Sequence, residues 1–223
     1  MHIPVITVDG PSGSGKGTIS QYLAEELGWH HLDSGALYRL LAYAALQESI
    51  ALDDAAALAA LVERLQSRYR LPNRESPEIL LDGRDVGDAL RSEACGTAAS
   101  QAAALPEVRQ ALLEWQRHYR QSPGLIADGR DMGTVVFPDA DLKLYLVARP
   151  EVRALRRYNQ LKKKGIDMDL AELVTAVESR DRRDSARQAS PLKPAADALV
   201  VDNSDLDESE TLRIVLDAVH RIV

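Results

Sequence analysis

The sequence predicts an α/β protein with a central parallel sheet of five strands, helices on both faces of the sheet and a small antiparallel β insert. Apolar strand candidates alternate with helical stretches, which is typical of parallel sheets joined by right-handed crossovers. Near the N-terminus an apolar run leads through a glycine-rich loop into a helical pattern, as such a sheet often begins. The five strand candidates are Ile3–Val8, His30–Leu32, Leu125–Ala127, Leu142–Val147 and Ala198–Val201.

The loop after the first strand reads GPSGSGKGT. Glycines let the backbone fold tightly around an anion, the next helix N-terminus adds positive partial charge, and Lys16 adds a full charge. A glycine turn with a surface lysine is the alternative, but the strand–loop–helix setting favours a P-loop that holds a nucleoside triphosphate. The expected phosphate-binding residues are Gly10, Pro11, Ser12, Gly13, Ser14, Gly15, Lys16, Gly17 and Thr18.

One position departs from the general P-loop pattern. Gly17 follows Lys16, and the hydroxyl that usually contacts magnesium comes one place later, at Thr18. We therefore expect no metal ligand from the protein, and a magnesium ion held mainly by phosphates and water, as this ion prefers. The GKGT form resembles nucleoside monophosphate kinases rather than GTPases.

The remaining elements are predicted from residues that favour helix ends and turns. Helix starts are predicted at Asp53 and Pro106, and a helix end at Gly28. Residues 68–90 break the alternation, because short apolar pairs there are separated by turn-forming residues. We interpret them as an antiparallel insert within a single folded unit, residues 1–223; a surface hairpin without function is the alternative.

Composition limits the function. With 27% charged and 45% hydrophobic residues, the 223-residue chain is typical of a globular protein. The net charge of −7 argues against coating a nucleic acid, and no apolar run approaches membrane-spanning length. The single cysteine, Cys95, allows no intrachain disulfide, which fits a reducing cytoplasm. We expect a cytoplasmic monomer with neither a nucleic-acid nor a membrane partner.

Two short clusters at strand ends indicate a site for a phosphorylated acceptor. Ser34 and Arg39 lie at the start of a helix that follows a strand. Arg130 and Asp131 follow the strand Leu125–Ala127, at the carboxyl edge where open α/β sheets bind ligands. A solvated helix arginine is the alternative for Arg39, and a structural ion pair for Arg130 and Asp131.

A third cluster lies on a predicted helix near the C-terminus. Arg180, Arg183, Asp184 and Arg187 fall on one helical face. Arginine binds phosphate bidentately, so this density of guanidinium groups suits a phosphate site. A solvated helix stabilised by charge pairs is the alternative.

Together these motifs resemble the bacterial cytidylate kinase family, the CMP and dCMP kinases. The resemblance runs in order from residue 3 to the C-terminus. It implies the three-layer P-loop kinase fold, with residues 68–90 in the monophosphate-binding region, and transfer of the γ-phosphoryl group of ATP, with Mg²⁺, to CMP or dCMP. The matching segments are GPSGSGKGT, LDSGALYR, AASQAAALPEVRQAL, LIADGRDMGTVVFPDA, RDRRDSAR and PAADALVVDNS.

The resemblance also implies roles for individual residues. Lys16 and the loop amides hold the β- and γ-phosphates of ATP, and a lid at residues 158–168 closes over ATP. The implied catalytic residues are Lys16, Arg130, Arg153, Arg156 and Arg157. The implied substrate contacts are Arg39, Arg130 and Arg187 for the acceptor phosphate, Ser100, Arg109 and Asp131 for cytosine, Arg180 and Asp184 for the sugar, and Ser34 near base and sugar.

Other functions remain open at this point. A P-loop kinase for UMP, AMP or a metabolite such as shikimate shares the loop, so the base-reading residues must decide. A GTPase switch is disfavoured, because neither Asn-Lys-x-Asp nor Asp-x-x-Gly occurs in this sequence and because of the GKGT form of the loop. A nucleic-acid-binding ATPase is disfavoured by the acidic balance.

Overall fold

The chain folds as two compact units. The computed structural model describes residues 2–70, 78–163, 165–187 and 190–221, so residues 71–77 of the expected insert and Lys164 of the expected lid lie outside the described residues. One unit combines Met1–Asp33 with Tyr119–Val223, and the other is the continuous segment Ser34–His118.

Strands and helices alternate through the part of the chain that the structure describes. The strands are β1 (Val5–Asp9), β2 (His30–Asp33), β3 (Tyr69–Arg70), β4 (Leu80–Leu81), β5 (Arg84–Asp85), β6 (Leu125–Gly129), β7 (Leu142–Val147) and β8 (Leu199–Asp202). The helices are α1 (Lys16–Leu27), α2 (Ser34–Gln47), α3 (Ala55–Gln66), α4 (Gly87–Arg91), α5 (Glu93–Ala102), α6 (Pro106–Arg117), α7 (Pro150–Lys163), α8 (Leu170–Ser185) and α9 (Glu208–Val219), with a π-helical turn at Met132–Val136.

The first unit is built on a parallel sheet with the strand order β2-β6-β1-β7-β8 among its described residues. β1 is central, since Val5 pairs with Leu125 of β6 and Ile6 with Leu142 of β7. Every residue of β1 and β6 is buried. Because successive strand residues point to opposite faces, both faces of the sheet are covered. The predicted α/β fold, with its five-stranded parallel sheet, is confirmed.

The core of this unit joins the sheet to its first and last helices. Ile19 and Leu23 of α1 and Val215 and Val219 of α9 are buried in one apolar cluster with strand residues such as Ile6. Apolar residues four positions apart lie on one face of a helix, and this face anchors each helix to the sheet. The cluster thereby fixes α1, whose first residue is Lys16, against the strand that precedes the glycine-rich loop.

The second unit combines helices with a three-stranded antiparallel sheet in the order β3-β4-β5. Asp82 and Gly83 form the turn between β4 and β5, both with positive φ, as a two-residue hairpin requires. Tyr69 of β3 packs edge-to-face on Trp115 of α6, with ring centroids 5.9 Å apart. The small antiparallel sheet predicted from the sequence is confirmed.

Helix starts in this unit were predicted to within one residue. α6 begins at Pro106, the predicted position. α3, however, begins after Asp54 and not at Asp53, because the Asp54 side chain accepts a hydrogen bond from the Ala57 N–H. Two adjacent aspartates both suit an N-cap, so only the geometry distinguishes them.

Candidate functional site

The glycine-rich loop connects β1 to α1 in a conformation that only glycine tolerates. Gly10 has φ of 151°, and a Cβ placed on it would lie 2.2 Å from the carbonyl oxygen of Leu146 on β7. Gly15 is the N-cap of α1 and has no side chain to accept from the first N–H groups of that helix. These donors and the positive end of the helix therefore suit an anion.

Lys16 stands at the first position of α1. Its Nζ atom lies 3.4 Å from the carbonyl oxygen of Pro11, within the same loop. Burial, together with the positive charge of Arg130, lowers the pKa of Lys16 to about 7, against the opposing charges of Asp128 and Asp33. A polyanionic phosphate beside this amine favours its charged form, so the lysine is suited to bind phosphate.

Arg153 supports the loop from α7. It is buried, and its guanidinium donates to the carbonyl oxygens of Ala148 and Ser12, at 2.8 and 3.1 Å, and to both carboxylate oxygens of Asp181. These contacts lie within the protein and fix the backbone of the loop at Ser12. The expected action of this arginine on ATP stays a prediction, and its contacts also suit a residue that positions the loop.

Arg156 and Asn203 support the next part of the loop. The buried Asn203 donates from Nδ2 to the carbonyl oxygen of Ser14, at 2.8 Å. Arg156 donates to Oδ1 of Asn203 at 3.1 Å and to its backbone oxygen at 2.8 Å. Arg157, the third arginine expected near the lid, is half-buried and donates to Gln160.

Arg130 lies just beyond β6, beside the charged face of α8. Its Nε donates to Oδ2 of Asp184 at 3.0 Å, and Arg187 donates to the other carboxylate oxygen. Asp184 is 1% exposed. Burial alone would raise the pKa of Asp184, but the guanidinium groups of Arg130, Arg187 and Arg180 hold it below its usual range. The structure thus brings together four residues predicted as substrate contacts, in a strongly cationic cluster.

Asp131 follows Arg130 and is buried. It caps the π-helical turn Met132–Val136, and its carbonyl oxygen accepts from the N–H groups of Val135 and Val136. Asp9, the last residue of β1, accepts from the N–H groups of Met132 and Gly133. The segment that carries Arg130 and Asp131 is therefore fixed by hydrogen bonds on its C-terminal side.

Asp128 of β6 pairs with Asp33 of β2, and its charge acts on Lys16. It is buried, and Nε2 of His31 donates to its Oδ2 at 2.9 Å. Burial alone would lower the pKa of His31, but the hydrogen bond and charge of Asp128 raise it. The sequence analysis assigned no role to Asp9, His31 or Asn203, and it included Asp128 only as a member of the segment that carries Arg130 and Asp131. The available signal was their position at or beside the carboxyl ends of strands, where parallel sheets bind ligands.

The unit Ser34–His118 holds the other four predicted substrate contacts. Ser34 on α2 is buried and donates to Oε1 of Gln116 at 2.8 Å. Arg39, also on α2, donates to the carbonyl oxygens of Leu90 and Ser92, at 2.7 and 3.2 Å. Each side chain is thus held in one direction by its neighbours within the unit.

Ser100 and Arg109 lie on α5 and α6. The Ser100 hydroxyl is buried and has no hydrogen-bond partner among the described residues. Arg109 donates to the carbonyl oxygen of Ala103 at 3.1 Å, and its guanidinium lies 5.6 Å from the ring centroid of Tyr38. A buried hydroxyl is rarely left unsatisfied, so the Ser100 side chain fits a ligand hydrogen bond.

The fold and the loop define the class: a strand–P-loop–helix unit in a parallel α/β sheet, with arginines near Lys16 of the loop, is a P-loop nucleotide-binding enzyme. The family model for cytidylate kinase matches residues 6–221. The chain therefore belongs to the cytidylate kinase family.

Individual relatives agree with the family match. The chain is 53% identical to a cytidylate kinase from Methylococcus capsulatus over 97% of each chain. It is 54% identical to one from Aeromonas hydrophila over 96% of this chain and 92% of the relative. A solved shikimate kinase from Bacteroides thetaiotaomicron is more distant, with 14% identity and a TM-score of 0.47 over 98% of this chain and 99% of that one, too low a similarity to inform function.

No helix in the described ranges is both long and apolar enough to cross a membrane. Within the same ranges, no group of three or more His, Cys, Asp or Glu side chains is placed to hold a metal ion.

Proposed function

We propose that this protein transfers the γ-phosphoryl group of ATP to CMP or dCMP, giving ADP and CDP or dCDP. The observation that carries this proposal is the family match over residues 6–221, which includes both the P-loop and the arginine cluster around Asp184. A monophosphate is already an anionic nucleophile near neutral pH, so the reaction needs no general base. It needs alignment of two phosphates and neutralisation of their charge.

On the donor side, the P-loop N–H groups and Lys16 bind the β- and γ-phosphates of ATP. Arg153 and Arg156 hold the backbone of Ser12 and Ser14, and we assign them positioning roles on the basis of those contacts. Arg157, the third arginine of α7 predicted to act on ATP, is proposed to contact ATP directly. Residues 158–168 remain the proposed lid.

On the acceptor side, we assign the phosphate of CMP to Arg130 and Arg187. Each guanidinium donates to a different carboxylate oxygen of Asp184, and arginine is the side chain whose planar set of donors matches a phosphate. Because each arginine bonds a different oxygen of Asp184, the carboxylate fixes the orientation of both guanidinium groups. A phosphate would therefore meet these donors in one geometry. Arg180 completes this charge, and we assign Arg180 and Asp184 to the sugar.

Base selection has a simple chemical form. The exocyclic amine of cytosine donates hydrogen bonds, so the carboxylate of Asp131 accepts from it. Uracil presents a carbonyl at the same position and would face Asp131 with two acceptors, which is repulsive. From the unit Ser34–His118 we propose substrate contacts for Ser34, Arg39, Ser100 and Arg109, and the unpartnered Ser100 hydroxyl supports its assignment.

Magnesium is proposed as the metal cofactor. The protein lacks, among its described residues, a cluster of acidic groups able to hold the ion alone, so its ligands are proposed to be nucleotide phosphates and water. We propose that Asp33 and Asp128, the carboxylates whose charges act on Lys16, accept hydrogen bonds from such waters. When bound, the ion neutralises phosphate charge.

We also propose that the protein is a cytoplasmic monomer, on the composition of the chain.

The first test is an ADP-release assay with ATP against CMP, dCMP, UMP, AMP and GMP. We expect CMP and dCMP to give the highest kcat/KM. Preferred turnover of UMP or AMP would instead assign the chain to another monophosphate specificity.

The second test separates base reading from phosphate binding. Asp131→Asn should lower the CMP-over-UMP ratio by about 10-fold or more, because an amide can also donate to uracil. Arg130→Ala should weaken CMP and UMP alike, since both carry the same phosphate. Arg182→Ala, which removes an exposed arginine of α8, is the matched control and should change neither. Unchanged discrimination in Asp131→Asn would refute the cytosine assignment.

A further inference from the structure

Asp9 makes a contact that the proposed chemistry does not explain. It is the last residue of β1, and its carboxylate is 5% exposed. Oδ1 accepts from the N–H of Met132 at 2.9 Å, and Oδ2 accepts from the N–H of Gly133 at 2.8 Å. A single side chain therefore binds two successive N–H groups of a segment far away in the sequence.

The carboxylate is in an unfavourable environment. Burial raises the pKa of Asp9 to about 7, even though both N–H groups favour the charged form. The negative charge of Asp131 raises the pKa of Asp9 further, and the positive charge of Arg130 lowers it. Tyr145 pairs with Asp9 from β7, and burial together with the charge of Asp9 raises the pKa of its phenol to about 12. An apolar residue would fill this position without the free-energy cost of burying a charged group. The two hydrogen bonds of Asp9 therefore point to a role beyond packing.

The position of the contact suggests that role. Asp9 is followed directly by Gly10, where the P-loop begins, and Met132 directly follows Arg130 and Asp131. One carboxylate thus joins the start of the donor loop to the segment that carries the proposed acceptor residues.

Packing leaves that segment little freedom. A Cβ added to Gly133 would lie 2.8 Å from Oγ1 of Thr7 on β1 and 3.2 Å from the side chain of Lys143 on β7. The segment is therefore held against β1 at close range, and the hydrogen bonds of Asp9 set its register there.

We propose that Asp9 is a positioning residue, which fixes Arg130 and Asp131 relative to the P-loop and so aligns the acceptor phosphate with the γ-phosphate of ATP. This inference rests on the proposed function. Its consequence is specific: disturbing Asp9 should impair use of the acceptor and leave binding of ATP largely intact.

The test is Asp9→Asn, which keeps the shape and leaves one acceptor oxygen for two N–H groups. The neutral side chain resembles the protonated carboxyl, so the variant is expected to fold. The matched control is Asp141→Asn, because Asp141 accepts from the Val5 N–H, at 2.8 Å, at the opposite end of β1. Steady-state rates with CMP, UMP and ATP, and the thermal unfolding midpoint, are measured for both.

For Asp9→Asn we expect kcat/KM for CMP to fall by about 10-fold or more, since misplacement of reacting groups by an ångström has effects of this size. The CMP-over-UMP ratio should also fall, while the KM for ATP stays within about twofold. Asp141→Asn should leave all three values unchanged. Gly133→Ala displaces the same segment from its other side and should reproduce the pattern.

Several outcomes overturn the proposal. Lower stability with unchanged kinetics, or equal increases in both KM values, assigns Asp9 to folding alone. Failure of both Asp9→Asn and Gly133→Ala to fold does the same. A wild-type enzyme that does not phosphorylate CMP rejects the proposed function instead, and the two failures are thereby distinguished.

Discussion

Replacing Asn203 with alanine should weaken both the fold and the binding of ATP. The buried Asn203 side chain donates to the Ser14 carbonyl at 2.8 Å and accepts from Arg156 at 3.1 Å. A neutral hydrogen bond contributes about 1 kcal/mol and one to a charged group about 1.5–3 kcal/mol. Arg156 is half-buried and water can partly replace its contact, so we expect a loss of about 2 kcal/mol.

For a chain of this length, that loss lowers the unfolding midpoint by roughly 4–8 °C, at about 2–4 °C per kcal/mol. Thermal unfolding measures it directly. The functional effect concerns the P-loop, because Ser14 loses its main side-chain donor. We expect the KM for ATP to rise several-fold, while the KM for CMP changes little, in an ADP-release assay with each substrate varied in turn.

Asn203→Asp separates the two contacts. The aspartate keeps an acceptor for Arg156 but places an oxygen against the Ser14 carbonyl. It should raise the KM for ATP as the alanine variant does. If Asn203→Asp binds ATP normally, the contact with Ser14 does not shape the P-loop and the reasoning is refuted.

Three further predictions concern the loop, the lid and one histidine. Lys16→Ala should lower kcat about 10²-fold or more, as expected for loss of a preorganised charge, and near-normal turnover would exclude it as the phosphate lysine. Hydrogen exchange across residues 158–168 should slow when a bisubstrate analogue binds, because a closing lid excludes water; equal exchange would argue against a lid. The pKa of His31 is raised in the folded state by Asp128, so the stability contributed by this pair is complete below about pH 6.5 and is lost as the pH rises through the folded-state pKa. Denaturant unfolding should therefore show a larger advantage of wild type over His31→Asn at pH 6 than at pH 9, and an equal advantage at both would contradict this.

Most of the sheet could be predicted from the sequence because its strands, apart from β2 with its two histidines, are short apolar runs. β7, Leu142–Val147, was predicted to the residue, and β1 was displaced by only a few residues. The P-loop could also be predicted, since its characteristic residues are consecutive in the sequence. Strands and loops of this kind can be predicted from local sequence alone.

The supporting contacts could not be predicted in this way. Asn203 contacts Ser14 across 189 positions of the chain, and Asp9 contacts Met132 and Gly133 across 123 and 124 positions. Arg153 is a further example, because nothing in the sequence around it indicates that its guanidinium donates to the carbonyl oxygen of Ser12. Whether an arginine faces a ligand or a carbonyl depends on tertiary packing, which spacing along the chain does not reveal.

The pairing of β1 also imposes an order on folding during synthesis. β1 is made first, but Val5 pairs with Leu125 and Ile6 with Leu142, so both of its neighbours are made only after Ser34–His118. The contacts within Ser34–His118 are available as soon as that segment is complete. Pairings between such distant residues slow folding, and an apolar strand that waits for its partners is exposed to aggregation in the meantime. The P-loop is thus the first part of the site to be synthesised and among the last to acquire its shape.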